Sequence, residues 1–462
     1  MTRILFTPPD ARARAYVRGL MKEAGLEVYE DGVGNVRGRW PGTDPLRGGV
    51  GSGSHADALP SSGKYDGTVG VLGAIAALKA LRAVGYKPVR TLEAILFTSE
   101  EPTRFGLSCI GSRAMAGWLP PKELEDLTDA NGTSFLEAAR GAGYGFGPGG
   151  KVPATGAEVI KTARIPLGVL THFLELHIEQ APLLERLNTP LGVVSAIAAP
   201  AALRVTFTGP GGHAGTVPMA ARRDPGLAAA AFALAVEAAV AEAGAGAAAA
   251  VATVGVIDLS PGASNAIPTA AVLTVDVRDT DGPRRDAAVR GVKAAARRLA
   301  RARGVGVKVE TLSSDPPMPA DAEVAAALAR AVALVSPDPA TRGHPDRVPR
   351  LVSGAYHDAL PTARSFRAGM LFVRCAGGRS HVPDEYARPD DVALGVTALA
   401  LALADLGAGP PLVGRAAPAI ARSRGATHRT CPVTGRVDDG GGGVCPFGNK
   451  KKKGHEGVAE VR

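Results

Sequence analysis

The feature that most constrains this chain is a short, largely apolar run, Leu92–Phe97, that stops at Thr98-Ser-Glu-Glu101. It reads as a parallel strand buried on both faces, which makes the fold class α/β. The two carboxylates then fall at the strand's carboxyl end, where open α/β sheets bind their ligands. Adjacent carboxylates repel unless something separates their roles. A cation does so, holding one as a ligand and leaving the other free to move protons.

Further segments place imidazole or carboxylate at similar junctions. His55 closes the run from Gly49, and Asp66 lies in the loop before an apolar helix expected over Val69–Ala83. Asp57 is expected to orient the His55 imidazole. His177 sits in Phe173-Leu-Glu-Leu-His-Ile-Glu-Gln180, whose alternation predicts a strand. His381 follows an apolar strand expected over Gly369–Arg374. Taken singly, a His or Asp at a turn is ordinary turn chemistry, and a His in an alternating run is usually a core residue. Together, His55, Asp66, Glu101, His177 and His381 form a donor set suited to zinc, manganese or a similar divalent ion. These five groups suffice for two ions if one carboxylate bridges, and Glu100 is then the free carboxylate.

The pattern changes after Ala196. A strand over Leu203–Thr208 leads into Gly209-Pro-Gly-Gly-His213-Ala-Gly215 and an Ala-rich helix over Gly226–Ala249. Strands over Ala250–Leu259 and Ala271–Val277 flank Ser264-Asn265-Ala-Ile-Pro268. A helix over Pro283–Arg303 and a strand over Gly306–Leu312 follow. The order β-α-β-β-α-β is a split βαβ, ferredoxin-like unit. The expected division is therefore a mixed-sheet catalytic domain in two parts, 1–197 and 314–406, an inserted α+β domain, 198–313, and a tail, 407–462. The Gly-rich turn before His213 has neither the G-x-G-x-x-G pattern nor a Walker Lys-Ser/Thr, so it is not a phosphate loop. The stretch 141–150 reads as a flexible Gly-rich loop.

Net charge is +9, but ten Lys/Arg against four Asp/Glu from Pro411 to Arg462 put +6 of it in the tail. The remaining +3 does not argue for nucleic acid. The tail's Pro, Gly, Arg and Lys content predicts disorder. Its His428, Cys431, Cys445 and His455 lack the C-x-x-C spacing of a zinc site. Cys109 and Cys375 lie in apolar surroundings and are expected to be reduced core residues. No apolar run reads as long enough to span a bilayer, so no membrane partner is expected. The first residues lack a signal-peptide core, which by itself implies the cytosol.

The motifs His55-Ala-Asp57, Lys64-Tyr-Asp-Gly67, Glu100-Glu101, Glu175-Leu-His-Ile-Glu-Gln180, Gly212-His-Ala-Gly215, Asn265-Ala-Ile-Pro268, Asp276-Val-Arg-Asp279, Tyr356-His-Asp358 and Ser380-His381 occur in one order. From about Thr2 to about Leu406 the chain resembles the M20-type dinuclear metallohydrolases, in the branch that cleaves N-carbamoyl compounds and allantoate. Within it, Ser62-Gly-Lys-Tyr-Asp-Gly-Thr-Val and Phe97-Thr-Ser-Glu-Glu-Pro-Thr-Arg-Phe-Gly are most similar to the plant-type ureidoglycolate amidohydrolases. The resemblance implies two ions, Mn²⁺, bridged by Asp66, with His55 and His177 on one and Glu101 and His381 on the other. It implies Glu100 as general base, His213 as oxyanion stabiliser, and Gln180, Asn265, Arg278 and His357 as substrate-binding residues. It also implies a homodimer formed through the inserted domain. The implied reaction converts (S)-ureidoglycolate to glyoxylate, ammonia and carbon dioxide in purine ureide breakdown. Allantoate or an N-carbamoyl-L-amino acid is the rival substrate on the same site. Plant members of that kind are associated with the endoplasmic reticulum. Two departures stand out: Ala181 replaces the family's Gly after Gln180, and the basic tail has no counterpart in it.

Overall fold

The computed structural model describes residues 1–144, 154–243 and 250–408. The tail from 409 onward, most of the Gly-rich stretch expected at 141–150, and the last residues of the expected Ala-rich helix lie outside the described residues.

A nine-stranded mixed sheet holds the framework together. Its order is Glu27–Glu30, Val36–Trp40, Leu92–Phe97, Gly49–His55, Leu170–Ile178, Arg367–Val373, Leu191–Ile197 and Met318–Pro319, with Arg350–Ser353 also paired to Leu191–Ile197. The strands from Leu92–Phe97 to Arg367–Val373 are parallel to one another. Every residue of Leu92–Phe97 is buried because both faces are covered. Leu96 joins one core cluster with Leu174 of the strand Leu170–Ile178 and with Leu78, Leu328 and Leu403 from helices Thr68–Ala83, Ala322–Val335 and Pro389–Gly407. Ile95 and Phe97 join another with Met115, Phe173, Met370 and Phe372. Helix Thr68–Ala83 lies close on the sheet at Gly70, where a Cβ would meet the Leu176 carbonyl oxygen at 2.4 Å.

The chain leaves this sheet after Leu191–Ile197 and returns at Met318–Pro319. Between them stands a four-stranded antiparallel sheet, ordered Gly306–Ser314, Ala199–Thr208, Ala270–Asp279, Val251–Ser260. Alternate residues Leu203, Val205, Phe207, Leu273 and Val275 face Phe232 and Val236 of helix Pro225–Ala243 and Val292 and Ala296 of helix Gly282–Arg303. Helix Pro225–Ala243 corrects one expectation: by length and composition it is apolar enough to cross a membrane. Its Ala228, Ala229, Phe232, Val236, Ala239 and Val240 recur at helical spacing and pack on the sheet, which is the pattern of a core helix.

Thr155 and Glu158 form a capping box that starts helix Gly156–Ala163, a helix absent from the sequence reading. With Pro121–Asp126 and Phe135–Gly141 it shelters a smaller core around Phe6, Phe135 and Tyr144. Gly212–His213 pairs with Ala266–Ile267 as a small ribbon beside the inserted sheet.

Candidate metal centre

The parallel strands deliver the site to one edge. Gly49–His55 ends on His55, Leu170–Ile178 carries His177 one residue from its end, and the turn after Leu92–Phe97 presents Glu100 and Glu101. Asp66 comes from the loop before Thr68–Ala83, and His381 from the loop after Arg367–Val373.

Asp66 sits at the centre. Its Oδ1 lies 3.0 Å from His177 Nε2 and 3.4 Å from His55 Nε2. Its Oδ2 lies 2.9 Å from His381 Nε2, and Glu101 Oε1 is 3.5 Å from the same nitrogen. The donors thus form two groups, His55–Asp66–His177 and Asp66–Glu101–His381, each with ligand atoms within 4.8 Å of one another. Donors held about 2.1 Å from a tetrahedral ion stand roughly 3.4 Å apart, so the spacing fits an ion in each group. One oxygen of the shared carboxylate serves each group. His55 Nδ1 lies 3.0 Å from the Asp57 carbonyl oxygen and His177 Nδ1 lies 2.9 Å from that of Ile178. A carbonyl only accepts, so each Nδ1 carries the proton and each Nε2 faces the centre.

The electrostatics favour cations here. Burial opposes the imidazolium form of His55, but Glu100, Asp66 and Asp57 outweigh it and hold its pKa well above the usual range. His177 is likewise raised, with Asp66 and Glu175 overcoming burial. His381 is raised by its bond to Asp66. Burial alone would raise Asp66, but hydrogen bonds from His177, His381 and His55 hold it well below the usual carboxylate range. The cluster keeps protons where positive charge is favoured, and a bound ion would displace them.

Glu100 belongs to neither group. Burial pushes its pKa well above the usual range, and the charges of Glu101 and Asp358 add to this. A cation nearby would pull it down again. Its Oε2 is 3.7 Å from His55 Nε2, and the Cys109 thiol points at its Oε1 from 3.5 Å. A carboxylate beside the ligand groups but outside them is placed to carry a proton.

The remaining expected site residues are spread more widely. Gln180 Nε2 donates to Asp66 Oδ2 at 3.0 Å, while its Oε1 is buried without a partner. His357 is buried, its ring centroid 4.5 Å from that of His177 and its Nε2 2.8 Å from Ser353 Oγ. Burial and His177 hold its pKa well below the usual range, so it is neutral. Arg278 turns its Nε–Nη2 edge to Asp276, at 2.8 and 3.1 Å, and donates from Nη1 to the Gly354 carbonyl at 2.8 Å. The fork expected for a substrate carboxylate is therefore occupied by Asp276. His213 and Asn265 are exposed on the small ribbon and its approach, and no hydrogen bond or ion pair among the described residues joins them to the cluster. Ala181 does not have a positive φ, so replacing glycine there carries no backbone strain.

Asp57 orients the His55 imidazole as expected, but through its backbone carbonyl, which accepts from Nδ1 at 3.0 Å. Its carboxylate stays 3.8 Å from His55 Nδ1. Instead it accepts the backbone N–H groups of Glu100 at 3.3 Å and Glu101 at 3.0 Å, fixing the turn that aims both side chains. Two acidic side chains behind the site also went unread as site residues. Glu175 accepts from Ser54 Oγ and from the Ala359 N–H, both at 2.7 Å. Asp358 is fully buried and its pKa is pushed up to about 8 by burial and then by Glu175. No periodicity marks these groups, because their partners come from distant segments.

The family described as Peptidase family M20/M25/M40 matches residues 51–405. This chain belongs to that family. It is 45% identical over 408 residues to a ureidoglycolate hydrolase of Oryza sativa subsp. japonica, covering 88% of this chain and 80% of that protein. It is 35% identical over 412 residues to an allantoate deiminase of Arabidopsis thaliana, covering 85% of this chain and 76% of that one. The crystal structures of AtUAH in complex with (S)-hydroxyglycine and with glyoxylate align with a TM-score of 0.76 at 44% identity, covering 88% of this chain and 92% of theirs. The M20 fold of the main sheet and the family's hydrolase class follow directly, and the donor groups are consistent with the family's dinuclear site.

Proposed function

We propose that this M20 hydrolase is a metal-dependent amidohydrolase acting on (S)-ureidoglycolate. One water would cleave the ureido carbonyl, releasing ammonia and carbon dioxide and leaving hydroxyglycine, which loses a second ammonia to give glyoxylate. The observation that carries the substrate is the 45% identity to a ureidoglycolate hydrolase, against 35% to an allantoate deiminase over a similar span. The ligands bound in AtUAH, (S)-hydroxyglycine and glyoxylate, are products of this reaction.

His55, Asp66 and His177 would hold one Mn²⁺ and Asp66, Glu101 and His381 the other. Bound ions would supply Lewis acidity and a water acidic enough to ionise near neutral pH. Glu100 Oε2 would take the water's proton and return it to the leaving amine. Gln180, already bonded to Asp66, would orient the ureido group. Arg278 would grip the substrate carboxylate after releasing Asp276, a bidentate contact that suits Arg. His357 packs edge-on against His177, and its contribution would be to fix that ring.

A homodimer through the inserted domain completes this reading, with His213 and Asn265 presented to the partner's site. The edge strand Val251–Ser260 exposes Val251, Val256, Ile257 and Leu259, and helix Pro225–Ala243 exposes Leu234. An open apolar edge of this kind calls for a cover. His213 would then stabilise the developing oxyanion.

The test is ammonia release by the purified chain, reloaded with Mn²⁺, on (S)-ureidoglycolate, allantoate and an N-carbamoyl-L-amino acid. Fastest turnover of ureidoglycolate supports the proposal; faster turnover of allantoate overturns it. Light scattering of the same sample, with Ile257→Glu as comparison, tests the dimer.

A further inference from the structure

We propose that Glu385 is the positioning residue for the ion held by Asp66, Glu101 and His381. This inference rests on the dinuclear reading above. Glu385 is 3% exposed and comes from the loop that follows His381. Its Oε1 accepts the backbone N–H of Tyr65 at 2.7 Å and of Asp66 at 3.1 Å. Its Oε2 accepts Ser380 Oγ at 2.8 Å and the backbone N–H of His381 at 3.3 Å. One carboxylate therefore joins the backbone of the shared ligand to that of the exposed ligand, across most of the length of the chain. The Ser380 hydroxyl, next to His381 in the chain, also lies 2.9 Å from Asp66 Oδ2, and its one proton is shared between that carboxylate and Glu385.

His381 needs such a hold. Its φ is +60°, a left-handed conformation that a residue with a Cβ keeps only when its surroundings enforce it. Its side chain is 45% exposed, so packing supplies little of that enforcement. His55 and His177, by contrast, are buried in strands and held at Nδ1 by carbonyls. The two donor groups share Asp66 but differ in their other support: the first has two imidazoles built into the sheet, whereas the second has His381, whose backbone is held by Glu385. A glutamine at 385 keeps the shape but has a single acceptor oxygen. Its NH₂ then faces either the Tyr65 and Asp66 amides or the His381 amide, donor against donor; on the latter side only the Ser380 hydroxyl can turn to accept it. Loss of an outer partner of this kind costs about 10–100-fold in metal affinity.

The experiment is to load the full chain and Glu385→Gln with Mn²⁺, remove free ion, count bound metal by elemental analysis and titrate by calorimetry. The wild type is expected to hold two ions. The variant is expected to keep one and to bind the other about 10–100-fold more weakly, with turnover recovering at high Mn²⁺. Glu93→Gln, a buried carboxylate 2.8 Å from Arg37, controls for loss of any buried acid and is expected to keep both ions. If Glu385→Gln does not fold, Gly63→Ala reaches the same carboxylate from the other side, since its Cβ would lie 2.1 Å from Glu385 Oε1. It should show the same selective loss. Two ions bound at wild-type affinity in these variants would overturn the inference, and so would equal weakening of both ions. A wild type that binds fewer than two ions would instead overturn the dinuclear reading, and this inference with it.

Discussion

Gly67→Ala should empty the first donor group through a single methyl. Gly67 precedes helix Thr68–Ala83 with φ 64° and ψ −45°, a conformation closed to residues with a Cβ. Holding alanine there costs on the order of 1–3 kcal/mol. The added Cβ would also lie 2.5 Å from His55 Nε2 and 2.6 Å from both flanking ring carbons. Ordinary contact between such atoms is about 3.5 Å, so the ring must retreat by roughly 1 Å. Metal–ligand distances tolerate about 0.2 Å, so His55 leaves the group. Losing a direct ligand exceeds the ~10–100-fold cost of losing an outer one, so the first ion should weaken by at least ~100-fold. Elemental analysis after desalting should find one ion in place of two, and thermal unfolding of the ion-free variant should show only the backbone cost. Two tightly held ions in Gly67→Ala would refute the reasoning, because His55 could not then be a ligand in the geometry described.

Other expectations follow from the same site. Glu100→Gln should retain both ions and lose about 10²–10⁴-fold in turnover, because it removes the proton carrier and no ligand. Glu101→Ala should retain one ion; an unchanged metal count would sink the ligand assignment. Asp57→Ala strands two buried N–H groups at about 1–3 kcal/mol each, so denaturant titration should show a loss of roughly 2–6 kcal/mol. The gain in Tm on adding Mn²⁺ should grow as pH rises above about 6.5. The imidazoles of His55, His177 and His381 have raised pKa values in the ion-free fold. Their pairing with carboxylates therefore stabilises that state fully below about pH 6.5 and is lost as pH rises through the raised values. A metal-induced shift that is flat with pH would contradict this.

The sequence alone determined the donor types and the strand ends that carry them. Leu92–Phe97 announces a strand covered on both faces by its largely apolar character, and the carboxylates that follow it must lie at the edge where parallel strands end. Helix Ala322–Val335 starts where a local signal stands, with Asp321 capping its first N–H groups. The alternation of Ala270–Asp279 likewise exposes the inserted sheet. These signals are local, and local periodicity survives in one dimension. Tertiary structure decided which group holds which. Asp57, two residues from His55, holds that ring through its backbone carbonyl, while its carboxylate grips the backbone of Glu100 and Glu101, because the neighbouring strand brings their amides within reach. Glu385 binds Asp66 and His381 together across a separation that no spacing rule spans. Arg278 and His357 have the expected chemistry, and packing set one against Asp276 and the other edge-on against His177. The pair Glu100 and Glu101 shows the division plainly. Their adjacency is a sequence fact, but only the fold puts one carboxylate in a donor group and leaves the other beside it.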